Sequence, residues 1–137
     1  MQRTFTILKP DTVSAGNTGR IIDRLLKEGF QIRAMKLVHL TREQAEGFYY
    51  VHRERPFFPS LVKFMTEGPI VPMVLEADNA IEKLRKVMGA TDPAKADPGT
   101  IRKEFATNIE RNAIHGSDGP DTAAYEIGYF FNRLEIL

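Results

Sequence analysis

The apolar residues of this chain switch repeatedly between strand-like runs and helical spacing, and that alternation restricts the fold more than any other feature. Thr4–Leu8, with Phe5, Ile7 and Leu8 apolar, reads as a buried strand ending at the Lys9-Pro10-Asp11 turn. A helix bracketed by Gly16 and Gly29 follows, with Ile21, Ile22, Leu25 and Leu26 on one face and Gly29 suited to close it. Gln31–Leu40 reads as a second strand whose alternation slips between Ala34 and Leu37, where a bulge would fit. Thr41 and Gln44 have the spacing of a capping box, for a helix running to about Val51. A shorter helix is expected after Pro59, with Leu61, Val62 and Met65 turned inward.

Ile70–Leu75 is apolar enough for a central strand, but Pro72 lacks a ladder donor and predicts an irregularity there. Asn79–Met88 carries Ile81, Leu84 and Val87 at helical spacing, and Thr91–Gly99 is a loop shaped by Asp92-Pro93 and Asp97-Pro98-Gly99. Thr100–Phe105 has room for one helical turn. Arg111–His115 reads as a short strand, and Pro120–Phe131 as a last helix with proline at its start. The order β-α-β-(helices)-β-α-β predicts an α+β, ferredoxin-like βαββαβ sandwich: a four-stranded antiparallel sheet with helices covering one face. Several small α/β folds share this order.

No repeat or linker interrupts the chain, so one domain is expected over 1–137, within the roughly 100–200 residues typical of a domain. A chain of this size buries about two-thirds of its unfolded surface and needs no disulfide or structural metal. The absence of cysteine excludes disulfide scaffolds, iron–sulfur clusters, thiolate zinc sites and cysteine nucleophiles. A formal net charge of +1 argues against a strongly basic nucleic-acid binder or a polybasic membrane protein. No apolar run approaches the ~18–20 residues that span a bilayer, and Met1-Gln2-Arg3-Thr4 opens a strand rather than a signal peptide. A soluble, cytoplasmic protein without a membrane partner is expected.

Of the three histidines, His39 and His52 lie at element ends without a metal-ligand spacing, and each reads as a surface or half-buried residue. His115 stands in Asn112-Ala113-Ile114-His115-Gly116-Ser117-Asp118, a strand ending beside the start of a helix, where free amides suit a phosphate. On spacing alone, the same segment is equally a plain strand–turn–helix with Ser117 or Asp118 as N-cap. Glu126, about two turns into that helix, could fold back to orient the imidazole. Lys9, Arg55, Arg85 and Arg102 would neutralise a polyphosphate if they converged, and singly each is a solvated charge. Phe57 and Phe58 are adjacent, so one can enter the core while the other offers a ring for stacking. Neither a Walker-type loop nor a protein-kinase signature is present.

The segment Asn112 to Pro120 resembles the active-site signature of nucleoside diphosphate kinases. Thr4 to Asp11 resembles that family's first strand and lysine, and Arg55-Pro56-Phe57-Phe58-Pro59 the start of its nucleotide-clamp helix. Gly89 to Pro93 with Pro98 to Arg102 resembles its phosphate-binding loop, so the likeness covers essentially the whole chain in order. The resemblance implies that His115 is the nucleophile that becomes phosphorylated, with Ser117 and Glu126 positioning its ring. It implies that Lys9, Arg85, Thr91 and Arg102 hold phosphates, Lys9 and Asn112 reach the sugar hydroxyls, Phe57 stacks on the base and Tyr49 lies near the phosphoryl group. It also implies strands 1 and 3 at the sheet centre, ATP and other nucleoside tri- and diphosphates as partners, and a homo-oligomer. The sequence stops at Leu137 without the extension that joins subunit contacts in that family, leaving tetramer and hexamer both open. Thr12 departs from the small residue usual after Lys-Pro-Asp, and Gly119-Pro120 follows the signature aspartate.

The implied chemistry is physically coherent. Exchange between equivalent phosphoanhydrides needs a carrier of high transfer potential, which phosphohistidine is and a serine ester is not. With an ordinary pKa of ~6.5, imidazole is largely neutral and nucleophilic near pH 7. Stacking tolerates any base, which implies low base specificity. Mg²⁺ is expected to bind mainly through the nucleotide's phosphates, since no carboxylate cage is evident, with Asp118 able to reach it through water. The alternatives are a non-catalytic ferredoxin-like nucleotide- or RNA-binding module and a histidine phosphocarrier serving a partner protein. The first lacks the aromatic-and-basic run of RNA-binding sheets. No specific nucleic-acid partner is expected.

Overall fold

The computed structural model describes residues 1–137. Strands β1 (Gln2–Leu8), β2 (Gln31–Met35), β3 (Val71–Ala77) and β4 (Ile114–Gly116) form one antiparallel sheet in the order β2-β3-β1-β4. β1 and β3 are therefore central. Helices α1 (Pro10–Ser14), α2 (Thr18–Lys27), α3 (Arg42–Phe48), α4 (Phe58–Met65), α5 (Ala80–Met88), α6 (Ile101–Phe105) and α7 (Pro120–Phe130) complete the chain.

Side chains alternate across β1, and both sets are buried. Phe5 and Ile7 pack with Phe48, Val62 and Met65 from α3 and α4, while Leu8 packs with Ile21, Leu25 and Leu84 from α2 and α5. Helices thus cover both faces of the sheet, not one. The cause lies in the stretch between β2 and β3, whose two helices each carry an apolar stripe that can be buried only against the second face. Each large apolar side chain fully buried here contributes ~1.5–3 kcal/mol.

Several boundaries differ from those that periodicity predicts. Lys9-Pro10-Asp11 is not merely a turn: Pro10 opens α1, since a missing N–H costs nothing in a first helical turn. β2 stops at Met35, and its register with β3 shifts between Ile32 and Ala34, earlier than the alternation indicates. The carbonyl of the intervening Arg33 accepts the Leu137 amide at 3.0 Å. α3 ends at Phe48 and continues as a 3-10 turn over Tyr50–His52.

Pro72 does not interrupt the β1–β3 ladder, where it pairs with Ile7. Its carbonyl accepts the Lys36 amide at 3.1 Å, so its missing N–H points toward β2 just past the last β2–β3 pair, Met35 with Met73. The proline leaves a single gap in that ladder, which resumes at the Val38–Ile70 bridge with hydrogen bonds of 3.0 and 2.7 Å. The final strand begins only at Ile114, because Ala113 has φ 73° and cannot continue it.

Candidate active site

His115 lies in β4 opposite Ile7 of β1, and Thr6 Oγ1 donates to its carbonyl at 2.7 Å. The ring Nε2–H donates to Glu126 Oε1 at 2.9 Å, and the same oxygen accepts Ser117 Oγ–H at 2.6 Å. Glu126 reaches back from α7 as its spacing allows. A carboxylate oxygen only accepts, so Nε2 carries the hydrogen and Nδ1 presents its lone pair. Phe48 and Phe5 stand edge-on to the ring at centroid distances of 5.7 and 6.2 Å, and restrict its rotation.

Ser117 is fully buried and bonded to Glu126, so it does not cap α7. Gly119 occupies the cap position, its amide donating to Thr122 Oγ1 at 3.0 Å, and Asp118 Oδ1 accepts that hydroxyl at 2.8 Å. Neither of the two expected caps forms, because the first is engaged by the histidine's carboxylate. The first turn of α7 does not line the main cavity either, so the free amides there are not where an anion would enter.

Lys9, Tyr49, Phe57, Thr91, Asn112, His115 and Glu126 line one cavity of about 400 Å³. Lys9 Nζ donates to Asn112 Oδ1 at 2.8 Å, and both residues are buried. Burial, followed by the positive charge of Arg102, lowers the Lys9 pKa to about 8 against the opposing pull of Asp11 and Glu110. Arg102 is lowered to about 10 by burial and by Arg85. Arg102 lowers Lys9 and Arg85 lowers Arg102, so an anion held near these positive charges would relieve the crowding.

Arg85 and Arg102 lie beside this cavity rather than in its wall. Arg85 lines an adjoining hollow of about 330 Å³ with Lys86 and Lys95, and Thr91 borders both spaces. Arg102 donates to the carbonyls of Asn112, Gly89 and Ile114 at 3.3, 3.1 and 2.8 Å, tying the loop after α5 to the segment before His115. Arg55 is exposed and lines neither space. The Tyr49 hydroxyl is buried without a partner, and burial with the nearby Glu126 charge pushes its ionisation up. No group of three His, Asp or Glu side chains is placed to hold a metal ion. A hollow of similar size between α3 and α4, about 410 Å³, holds none of this chemistry.

Phe57 is half exposed at the mouth of the main cavity, with the His52 ring 5.5 Å away. His52 is therefore part of the cavity wall, as are Val51, Ile109 and Glu110. All four come from irregular segments without a period, and only the proximity of His52 to Phe57 in sequence could have marked one of them.

The family model described as nucleoside diphosphate kinase matches residues 2–136. The chain belongs to the nucleoside diphosphate kinase family. It is 61% identical to the nucleoside diphosphate kinase of Desulfosudis oleivorans over 137 residues, covering 100% of this chain and 99% of that one. Identity to the Geotalea uraniireducens nucleoside diphosphate kinase is 54% over 137 residues and the full length of both chains. The Aquifex aeolicus nucleoside diphosphate kinase superposes with a TM-score of 0.97 at 50% identity, covering 99% of each chain. That of Halobacterium salinarum, solved in complex with CDP, gives 0.95 at 40% identity, covering 99% of this chain and 91% of that one. As a nucleoside diphosphate kinase, the chain is a nucleotide-binding transferase with the ferredoxin-like fold of its relatives.

Proposed function

We propose that the chain transfers the γ-phosphoryl group of a nucleoside triphosphate, typically ATP, to a nucleoside diphosphate through a phosphohistidine at His115. The observation that carries this reading is the Ser117–Glu126–His115 relay, which fixes Nε2 as donor and leaves Nδ1 without a protein partner in a cavity-lining ring. Nδ1 attacks the γ-phosphorus, and the bond to the β–γ bridging oxygen breaks with its electrons leaving on the first diphosphate. The terminal oxygen of a second diphosphate then attacks the same phosphorus and restores the imidazole. While the N–P bond exists and Nε2 keeps its hydrogen, the ring is cationic, and Glu126 at 2.9 Å offsets that charge.

Lys9, Arg85, Thr91 and Arg102 are assigned to the phosphates, and Lys9 with Asn112 to the sugar hydroxyls. Tyr49 is assigned to the neighbourhood of the phosphoryl group. Phe57 stacks on the base, and stacking is blind to base identity, so low base specificity follows. The cleft has the Lys9 ammonium in its wall and guanidinium groups beside it rather than a carboxylate cage, so Mg²⁺ would be held through the nucleotide's phosphates, where it would supply charge neutralisation. With helices on both sheet faces, no strand surface remains for single-stranded RNA to stack upon.

The reading extends to one catalytic domain over 1–137, working in the cytoplasm where nucleotide pools reside, and to a homo-oligomer. β2 is an edge strand, and exposed Met35 and Leu37 lie on and beside it, which supports burial against another copy, whether in a tetramer or a hexamer. The test is intact mass after incubation with ATP and Mg²⁺, before and after addition of GDP. One acid-labile phosphoryl adduct mapping to His115 and lost on adding GDP is expected, with His115→Ala binding nucleotide but forming none. An adduct on another residue, or none, would overturn the reading.

A further inference from the structure

Between Asn112 and His115 the backbone adopts a conformation that L-residues rarely take. Ala113 has φ 73°, and the Ile114 amide donates back to the Asn112 carbonyl at 2.9 Å. This is a γ-turn of the positive-φ form, which is rare and strained. Alanine has no side-chain polar group to favour it locally, unlike Asn or Asp. The restraint comes from the other end of the chain. Asp11 Oδ2 accepts the Ala113 amide at 3.0 Å, and the Ala113 carbonyl accepts Thr12 Oγ1–H at 2.8 Å and the Lys9 amide at 2.9 Å. Both polar groups of the strained residue are thus held by Lys9–Thr12.

The grip is built from buried groups. Thr12 is 2% exposed, and Asp11 Oδ1 is buried without a hydrogen-bond partner. A carboxylate kept with one oxygen unsatisfied is unfavourable by itself, so its retention calls for an explanation in what the other oxygen does. The residues flanking the turn supply one. On one side Asn112 holds Lys9 Nζ at 2.8 Å, and His115 follows two positions beyond Ala113.

We infer that Asp11 and Thr12 are positioning residues: by clamping Ala113 in its γ-turn they set the Lys9–Asn112 pair at the right distance from the His115 ring. The inference rests on the role proposed for His115, and neither clamp residue lines the main cavity.

The test compares kcat/KM for ATP-to-GDP transfer with Tm in the full chain and in Asp11→Ala, Asp11→Asn, Thr12→Val and Asp11→Ala/Ala113→Gly. Asp11→Ala should lower kcat/KM by about tenfold to a hundredfold, the loss that a misplacement of ~1 Å can cause. Asp11→Asn keeps an acceptor oxygen and should retain most of the rate. The double variant should regain much of it, since glycine takes positive φ freely. Thr12→Val, nearly isosteric, should lower kcat/KM severalfold, and it decides the matter if Asp11→Ala does not fold. Folded variants with a lowered Tm and full kcat/KM would reduce the clamp to a stability device and overturn the inference. So would Asp11→Asn as poor as Asp11→Ala with no gain from Ala113→Gly, since Asp11 would then act through its charge on Lys9. Mapping the adduct in the unaltered chain keeps the two readings apart: an adduct away from His115 removes the proposed mechanism, while the clamp variants still report on the turn.

Discussion

Lys9 shows how one side chain can pull stability and activity in opposite directions. Its pKa in the fold is lowered to about 8 from the ordinary 10.5. Between those values the unfolded chain holds a proton that the folded chain has released. Folding is therefore penalised by this residue below pH 8, and the penalty fades as pH rises through that window. If Lys9 serves phosphate as proposed, the positive charge it would offer is lost as pH passes about 8, so kcat/KM should fall there. The stability difference between the unaltered chain and Lys9→Met should meanwhile shift in favour of lysine. Parallel pH profiles of kcat/KM and of Tm for both proteins check this, and a flat kcat/KM across the window would contradict it. Phe57 makes a simpler prediction. Half exposed beside His52, it has a free face, so Phe57→Ala should weaken adenine, guanine and pyrimidine nucleotides alike by ~1–3 kcal/mol, measured by calorimetric titration.

At the scale of elements, the junction after α5 is the tightest part of the site. Gly89 closes that helix with φ 86°, and an added Cβ would lie 2.5 Å from Thr100 Oγ1 and 2.6 Å from Thr100 Cβ. Thr100 caps α6, and Gly89 offers its carbonyl to Arg102. Gly89→Ala should therefore destabilise the protein by ~1–3 kcal/mol in urea unfolding and also reduce transfer, because both Thr91 and Arg102 depend on this junction. Much of the element plan was legible in the sequence. The Thr41–Gln44 box forms with both of its hydrogen bonds, and Ile81, Leu84 and Val87 are all buried as their spacing requires. What escaped was decided by partners distant in sequence. Pro10 can stop a strand or start a helix, the bulge position depends on β3, and Ser117 gave up capping for Glu126. The site residues themselves were marked by type and by family resemblance, whereas Asp11 acquires its meaning only when Ala113 is seen beside it.

For the whole molecule, the strand order sets the last strand, β4, at a sheet edge against the first strand, β1, in the centre. β4 can pair only with β1, and the Lys9–Asn112, Thr12–Ala113 and Asp11–Ala113 bonds join residues 103, 101 and 102 positions apart. Contacts of that separation close late, because loop entropy must be met before they form. Transfer activity in a refolding experiment should therefore return with the slowest phase, after far-UV signals of the helices. Activity arriving before that phase would show that β4 docks early.

The same arrangement gives the enzyme a clock during its own synthesis. At about 5–20 residues per second, the ribosome needs roughly 5–20 s after Lys9 to supply Asn112, separated from it by 103 positions. On the roles proposed for Lys9 and His115, the nascent chain until then would present half of a phosphate cleft and no nucleophile. On that reading a truncated or stalled product would be unable to discharge the cell's ATP, and only a polypeptide whose translation had passed His115 would turn over.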